Sequence, residues 1–185
     1  MRHASSLRLN EMNLQPTLKN ELVKLIPLKE EDFETLYKAA SDPLIWEQHP
    51  ENNRFQRHAF EKFFKGAIDS RGAFLVIDNK TGEVIGSSRY YDYDENNNSI
   101  AIGFTFLTRK YWGTAYNRAM KTLMLDYAFK FVETVIFHIG EKNIRSQKAI
   151  LKLGAKKINE LKKSENSISF VYEIKKNSWL DIRKF

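Results

Sequence analysis

The sequence predicts a single α/β domain built on one mixed sheet. Three strand-like runs joined by short polar turns, Ala73 to Ile77, Val84 to Tyr91 and Ser99 to Leu107, read as an antiparallel meander. The last of them leads through a glycine turn and a long apolar-periodic helix into another strand, Val135 to Ile139. A strand–helix–strand unit favours parallel pairing of its two strands. Neither an internal repeat nor a second composition regime divides the chain.

Taken in order, Met1 to about Asn20 is polar and mixed, with Pro16 near its end. It reads as a flexible or loosely docked arm, residues 1–20, ahead of one domain over residues 21–185. Leu22 to Leu28 is short, apolar and ended by proline, which suits a first strand. Lys29 to Ala40 reads as a helix, with Phe33, Leu36, Tyr37 and Ala40 on one face, stopped at Ser41-Asp42-Pro43. Leu44 to Asn53 reads equally as a short helix or a loop. Arg57 to Asp69 is helical, and its Phe60, Phe63, Phe64 and Ala67 form a core stripe. Asp78 to Gly82 and Asp92 to Asn98 are turns. After Gly113, the residues Tyr116, Ala119, Met120, Leu123, Met124, Tyr127 and Phe131 follow the helical period closely. Asn143 to Leu153 forms another helix, closed by Gly154 where the backbone must turn left-handed. Lys156 to Ile158 and Ile168 to Ile174 are the last strands.

Composition narrows the chemistry. With 13 Phe, 8 Tyr and 3 Trp in 185 residues, the chain can pack a core, which excludes wholesale disorder. No apolar run is long enough for a membrane span, and the N-terminus lacks a secretory apolar stretch, so a cytoplasmic location is expected. The absence of cysteine removes disulfides, thiolate nucleophiles and cysteine-ligated zinc, and no metal is expected. A net charge of +7 suits an anionic partner, but the lysines and arginines are spread along the chain as on a solvated basic surface. No basic recognition helix or aromatic RNA motif is present, so nucleic acid is not the expected partner.

The stretch Phe104 to Tyr116 carries the functional signal. It reads as a strand, a tight glycine turn and a helix that opens with small residues. A helix start offers unpartnered N–H groups and a partial positive charge, which together favour phosphate oxygens. Within it, Lys110-Tyr111-Trp112-Gly113-Thr114-Ala115 resembles the phosphate loop of the GNAT N-acetyltransferases, Gln/Arg-x-x-Gly-x-Gly/Ala, with lysine at the first position as a departure. The family's second cofactor segment, Asn-x-x-Ser followed by a helix and Leu-Gly, is similar to Asn143-Ile144-Arg145-Ser146 and Leu153-Gly154-Ala155. The Tyr-Trp-Gly turn, the Asn-x-Arg-Ser segment, Glu30-Glu31-Asp32 and Ser41-Asp42-Pro43 are most similar to the RimJ/RimL-type branch, which acetylates ribosomal-protein N-termini.

The resemblance, over about Leu22 to Ile174, implies a mostly antiparallel twisted sheet of six to seven strands flanked by about four helices. It implies acetyl transfer from acetyl-CoA to a primary amine, a protein N-terminus or a small amine, by direct attack. The backbone of Tyr111, Trp112, Gly113, Thr114 and Ala115 would then hold the pyrophosphate, with Lys110 adding charge. Phe106, Leu107 and Thr108 would pair with the pantetheine amides in the manner of an added strand. Asn143 would contact the arm or cap its own helix. The family's thiolate-protonating tyrosine falls at Ile150, so Ser146 is the candidate donor, directly or through water. The family's strand glutamate falls at Ala101. His138 is the candidate base, having the right intrinsic pKa, provided its side chain falls on the substrate face of the sheet. Asp92, Asp94 and Glu95 in the turn near the acceptor side, or a water chain to solvent, are the alternatives. Trp46, His49, Tyr90 and Tyr91 are the candidate walls of the acceptor pocket. A non-catalytic acyl-CoA-binding module on the same fold is the alternative, and a homodimer is compatible with either.

Overall fold

Described by a computed structural model over residues 12–184, the chain lays down β1 (Leu18–Lys19), β2 (Val23–Pro27), α1 (Phe33–Ala40), α2 (Pro43–Trp46), α3 (Arg57–Ser70), β3 (Ala73–Asp78), β4 (Val84–Asp94) and β5 (Ser99–Leu107). It continues with α4 (Tyr116–Ala128), β6 (Thr134–Gly140), α5 (Ile144–Leu151), β7 (Lys156–Ser164), β8 (Ser167–Lys175) and α6 (Lys176–Ile182). The strands form one sheet in the order β1-β2-β3-β4-β5-β6-β8-β7. Every neighbouring pair is antiparallel except β5 and β6, which are parallel as the crossover through α4 requires.

The sheet has eight strands rather than the six to seven expected. The extra strand is β1, whose two residues are too few to show a pattern. It belongs to the expected arm, of which residues 12–20 are docked. Met12 is buried in the core, and Gln15 donates its side-chain amide to the Ala73 carbonyl at 2.8 Å. Residues 1–11 of that arm lie outside the described residues. β7 runs six residues past the expected Ile158 as an exposed, lysine-rich edge, where alternation gives way to the charges that protect sheet edges. The short α6 is a further element, its seven residues too few to show a helical period. Its Trp179 is buried and donates its indole N–H to Asp126 Oδ1 at 2.7 Å.

Helices cover both faces. One apolar cluster joins Met120, Met124, Leu125 and Ala128 of α4 to the sheet, together with Ile150 from α5 and Trp179 from α6. The other places Leu36 of α1, Trp46 of α2 and Phe60, Phe63 and Phe64 of α3 against Leu75 and Phe106. Among the described residues no helix is long and apolar enough to cross a membrane.

The feature that positions the site is a parting of strands. β5 and β6 pair only where Ser99 to Ala101 meet Thr134 to Ile136, although β5 continues to Leu107 and β6 to Gly140. Between the partners of Ser87 and Arg89, the register on β5 jumps from Phe106 to Gly103, so β5 carries one extra residue. Phe104, inside this bulge, has φ +51°, a left-handed conformation that a non-glycine residue adopts at a cost of about 1–2 kcal/mol. A bulge bends its own strand and sharpens the local twist, which carries β5 away from β6.

Candidate active site

The parted strands open a cleft of about 1020 Å³ that passes from the start of α4 to the far face of the sheet. At its mouth, Trp112 ends a short 3-10 turn and Gly113 takes φ +69°, with open space where a Cβ would stand. The N–H groups of Gly113, Ala115, Asn117 and Arg118 donate to no backbone group among the described residues. Arg118, Lys148 and Lys152 line the same region. The loop is hung from β3: the buried Asp78 carboxylate accepts the hydroxyls of Tyr111 at 2.7 Å and Tyr116 at 3.1 Å. A helix start so held, with cations around it, suits a multiply charged anion.

The second motif lies across the cleft and is tied to the first. The Arg145 guanidinium stacks 3.7 Å over the Trp112 ring and donates to the Ile45 carbonyl at 3.0 Å. Asn143 is buried and caps α5, accepting the Ser146 N–H at 3.2 Å. Gly113, Ala115, Asn143, Ser146, His138 and His49 all line this one cleft, as do Phe106, Leu107, Tyr111, Trp112, Thr114 and Tyr91.

Other expected positions are elsewhere. Lys110 turns away to pair with Glu83 at 2.9 Å. The Thr108 N–H is spent on the Ile85 carbonyl at 2.8 Å. Alternation along an antiparallel strand then turns the Phe106 backbone toward β4 as well, leaving the Leu107 N–H facing the gap. The Leu107 carbonyl accepts the Trp112 indole N–H at 3.0 Å. The strand edge available to a ligand is therefore Leu107 N–H and the bulge before it, not Phe106 and Thr108. Tyr90 lies on the opposite face, fully buried, with its hydroxyl donated to the Met124 carbonyl at 2.5 Å. Trp46 is buried behind the cleft and donates its indole N–H to the Ala40 carbonyl at 2.7 Å. Both are core residues because their polar atoms found backbone partners inside the fold.

On the far side of the bulge, Tyr91 reaches across β5 to His138 on β6, its hydroxyl 2.8 Å from Nδ1. It can do so only over Gly103, where a Cβ would meet Tyr91 Cε1 at 3.1 Å and its hydroxyl oxygen at 3.2 Å. Burial holds the Tyr91 phenol protonated by raising its pKa, and burial lowers that of His138. The phenol is thus the donor, Nδ1 the acceptor, and the proton of the neutral ring sits on Nε2. His49 is pushed down to about 3 by burial, with Arg54 and Arg145 adding to the effect, so it stays neutral. Among the described residues no group of His, Cys, Asp or Glu side chains is placed to hold a metal ion.

One cleft residue escaped the sequence reading. Lys121 of α4 is buried, with Nζ donating to Thr105 Oγ1 at 2.6 Å and Ser88 Oγ at 3.3 Å. Its position was legible: Lys121, Met124, Leu125 and Ala128 are spaced i, i+3, i+4, i+7, so the lysine stands within the buried stripe.

Residues 23–156 match the family model described as "Acetyltransferase (GNAT) domain". No curated protein matches the chain. Among solved structures, a GCN5-related N-acetyltransferase from Brucella melitensis superposes with TM-score 0.79 at 18% identity, covering 92% of this chain and 83% of that one. Spermidine N-acetyltransferase from Vibrio cholerae, in complex with CoA and spermine, gives 0.68 at 15% identity over 87% and 99% of the two chains. Ribosomal-protein-S5-alanine acetyltransferase from Vibrio fischeri gives 0.67 at 17% over 89% and 99%. At these identities the superpositions establish a shared fold.

Proposed function

We propose that this chain, which belongs to the GNAT acetyltransferase family, transfers acetyl from acetyl-CoA to a primary amine by direct attack. The observation that carries the reading is the meeting, in one cleft, of an amide-lined helix start and an unpaired strand edge. A pyrophosphate needs the first and a peptide-like pantetheine arm needs the second. In this reading the free amides from Gly113 to Arg118 hold the pyrophosphate, with Arg118, Lys148 and Lys152 around it. The arm runs back along β5, using the Leu107 N–H, toward the bulge at Gly103 to Thr105. Asn143 presents the start of α5, and the Ser146 hydroxyl donates a hydrogen bond toward the sulfur, directly or through water.

When bound, the thioester supplies an activated acetyl carbon. The residues must then take a proton from the attacking amine. Tyr91 and His138 form the relay: the Tyr91 oxygen accepts the amine proton while its own passes to His138 Nδ1. His49, Glu51, Arg54 and Asp92 border the acceptor side of the cleft. The acceptor is a protein N-terminus or a small amine, a range supported by the named activities of the Vibrio fischeri and Vibrio cholerae proteins. The Tyr111-Trp112-Gly113 turn and its contact with Arg145 favour the RimJ/RimL-type branch.

Acetyl-CoA at 100 times its dissociation constant should raise the melting midpoint by about 5–10 °C. Gly113→Glu, which puts a carboxylate where phosphate would sit, should abolish the shift. A panel of amines and N-terminal peptides should release CoA thiol. No shift with acetyl-CoA and no release with any amine would defeat the proposal. A shift without release would favour a binding module, a reading the apolar Ile150 in the cleft keeps in view.

A further inference from the structure

Lys121 is a lysine the fold has no structural need for. It occupies a buried position among methionines, leucine and alanine, where an aliphatic side chain would fill the same stripe. Its Nζ spends two of three possible N–H bonds on the hydroxyls of Thr105 and Ser88. The groups around Nζ come from three strands. From β4 come the Ser88 hydroxyl and Tyr90, whose phenol is committed to Met124; from β5 comes Thr105; from β6 comes the Phe137 ring, centred 6.0 Å away. The neighbouring titratable groups, Arg89 and His138, are held on the other face with Phe63 and Tyr91. Among the described residues no carboxylate acts on Lys121, and it lines the cleft.

Resting on the transferase reading above, we propose that the Lys121 ammonium is the acid that protonates the departing CoA sulfur. Three observations place it for this work. Thr105, its hydrogen-bond partner, belongs to the bulge at which the arm of an acyl-CoA would end. Leu107 to Gly103 spans about 13 Å of strand edge leading there from the phosphate loop. Ile150 and Leu153 line the same cleft with apolar surface, which offers sulfur no donor. The Ser146 hydroxyl can share a hydrogen bond but is far too weak an acid to surrender a proton. Burial brings Lys121 down to about 7, near neutral pH and more acidic than an ordinary alkanethiol.

The step balances. The neutral amine forms its bond to the acetyl carbon, and the C–S bond breaks with its electron pair going to sulfur. One Nζ–H proton of Lys121 passes to that sulfur, giving CoA thiol and a neutral lysine. The amine proton leaves by Tyr91 to His138 and then to solvent, and Lys121 regains a proton from solvent as the thiol departs.

The contact can be tested without an acceptor. Thiolate absorbance of CoA bound to the wild-type protein is titrated and compared with free CoA and with CoA bound to Lys121→Met and Lys121→Gln. Lys121 and the thiol titrate as a coupled pair, so the bound-CoA curve should broaden into two steps, with part of the thiolate formed below the free thiol's midpoint, and both variants should return a single step. With an active amine, both variants should also lose about 100-fold in kcat at pH 7, with KM for acetyl-CoA changed less than about threefold. A bound-CoA titration in the wild type that superimposes on free CoA overturns the assignment, whatever the variants do. Turnover of a folded variant equal to wild type with the same pH profile also overturns it. A two-step titration with no amine-dependent release would instead leave the Lys121 contact standing and defeat the transferase reading.

Discussion

Adding one methyl group at Gly103 should uncouple the proposed base from the reaction. A Cβ there would stand 3.1 Å from Tyr91 Cε1 and 3.2 Å from its hydroxyl oxygen. Carbon contacts settle at about 3.5–4.0 Å, so the ring must retreat by about 0.5 Å. The Tyr91–His138 bond, 2.8 Å long, would stretch beyond ordinary hydrogen-bond length or lose its alignment. The stability lost is part of one hydrogen bond plus strain, about 1 kcal/mol, and a domain of this size should melt about 2–4 °C lower. The kinetic effect should be larger. A positioned base contributes about 10²–10⁴-fold, so Gly103→Ala should lower kcat by at least about tenfold with KM for acetyl-CoA unchanged. The assay is CoA thiol release in a double-mutant cycle with Tyr91→Phe. If Gly103 acts through Tyr91, the second substitution should add little to the first. Full additivity, or a Gly103→Ala protein as active as wild type, would refute the relay.

Asp78→Ala should leave the buried Tyr111 hydroxyl unpaired, costing about 1–3 kcal/mol, and should weaken acetyl-CoA binding because the loop hangs from that carboxylate. A thermal shift with and without acetyl-CoA separates the two effects. His49 should make the protein acid-sensitive. Its pKa is about 3 when folded and near 6.5 when unfolded, so below about 6.5 the unfolded chain binds the extra proton. Stability from this group is complete above that pH and is lost as pH falls toward 3, and His49→Gln should flatten the melting midpoint across that window. Gly113→Ala should lower the melting midpoint only slightly, since φ +69° costs an L-residue about 1–2 kcal/mol and no atom stands near the added Cβ. Paired with Gly113→Glu, it separates backbone strain from charge.

Local pattern was enough to read α3, α4 and the three-strand meander, because each repeats its apolar residues over several turns or alternations. The two motifs on either side of the cleft were legible for a related reason: a glycine turn before a helix and an Asn-x-x-Ser cap are local structures. Backbone pairing was not. Whether Thr108 or Leu107 faces the gap depends on the partner chosen by β5, and the bulge at Phe104 resets that register. Tyr90 and Tyr91 are adjacent in sequence and both aromatic, yet one is sealed against Met124 and the other faces the cleft. Alternation along a strand sends neighbours to opposite faces, and only the packed helices say which face is which.

The chain's own order of residues therefore determined the family, the α/β domain, the phosphate-loop-like turn at Gly113 and the capped segment at Asn143. All of these are encoded over short separations, in propensity, periodicity and turn chemistry. The tertiary structure alone decided that Arg145 stacks on Trp112, that Gly103 clears the way from Tyr91 to His138, and that Lys121 is buried in the wall between the parted strands. These are meetings between residues 12 to 47 positions apart. They share the cleft where β5 and β6 part beside the bulge, a feature that exists only once both strands are in the sheet.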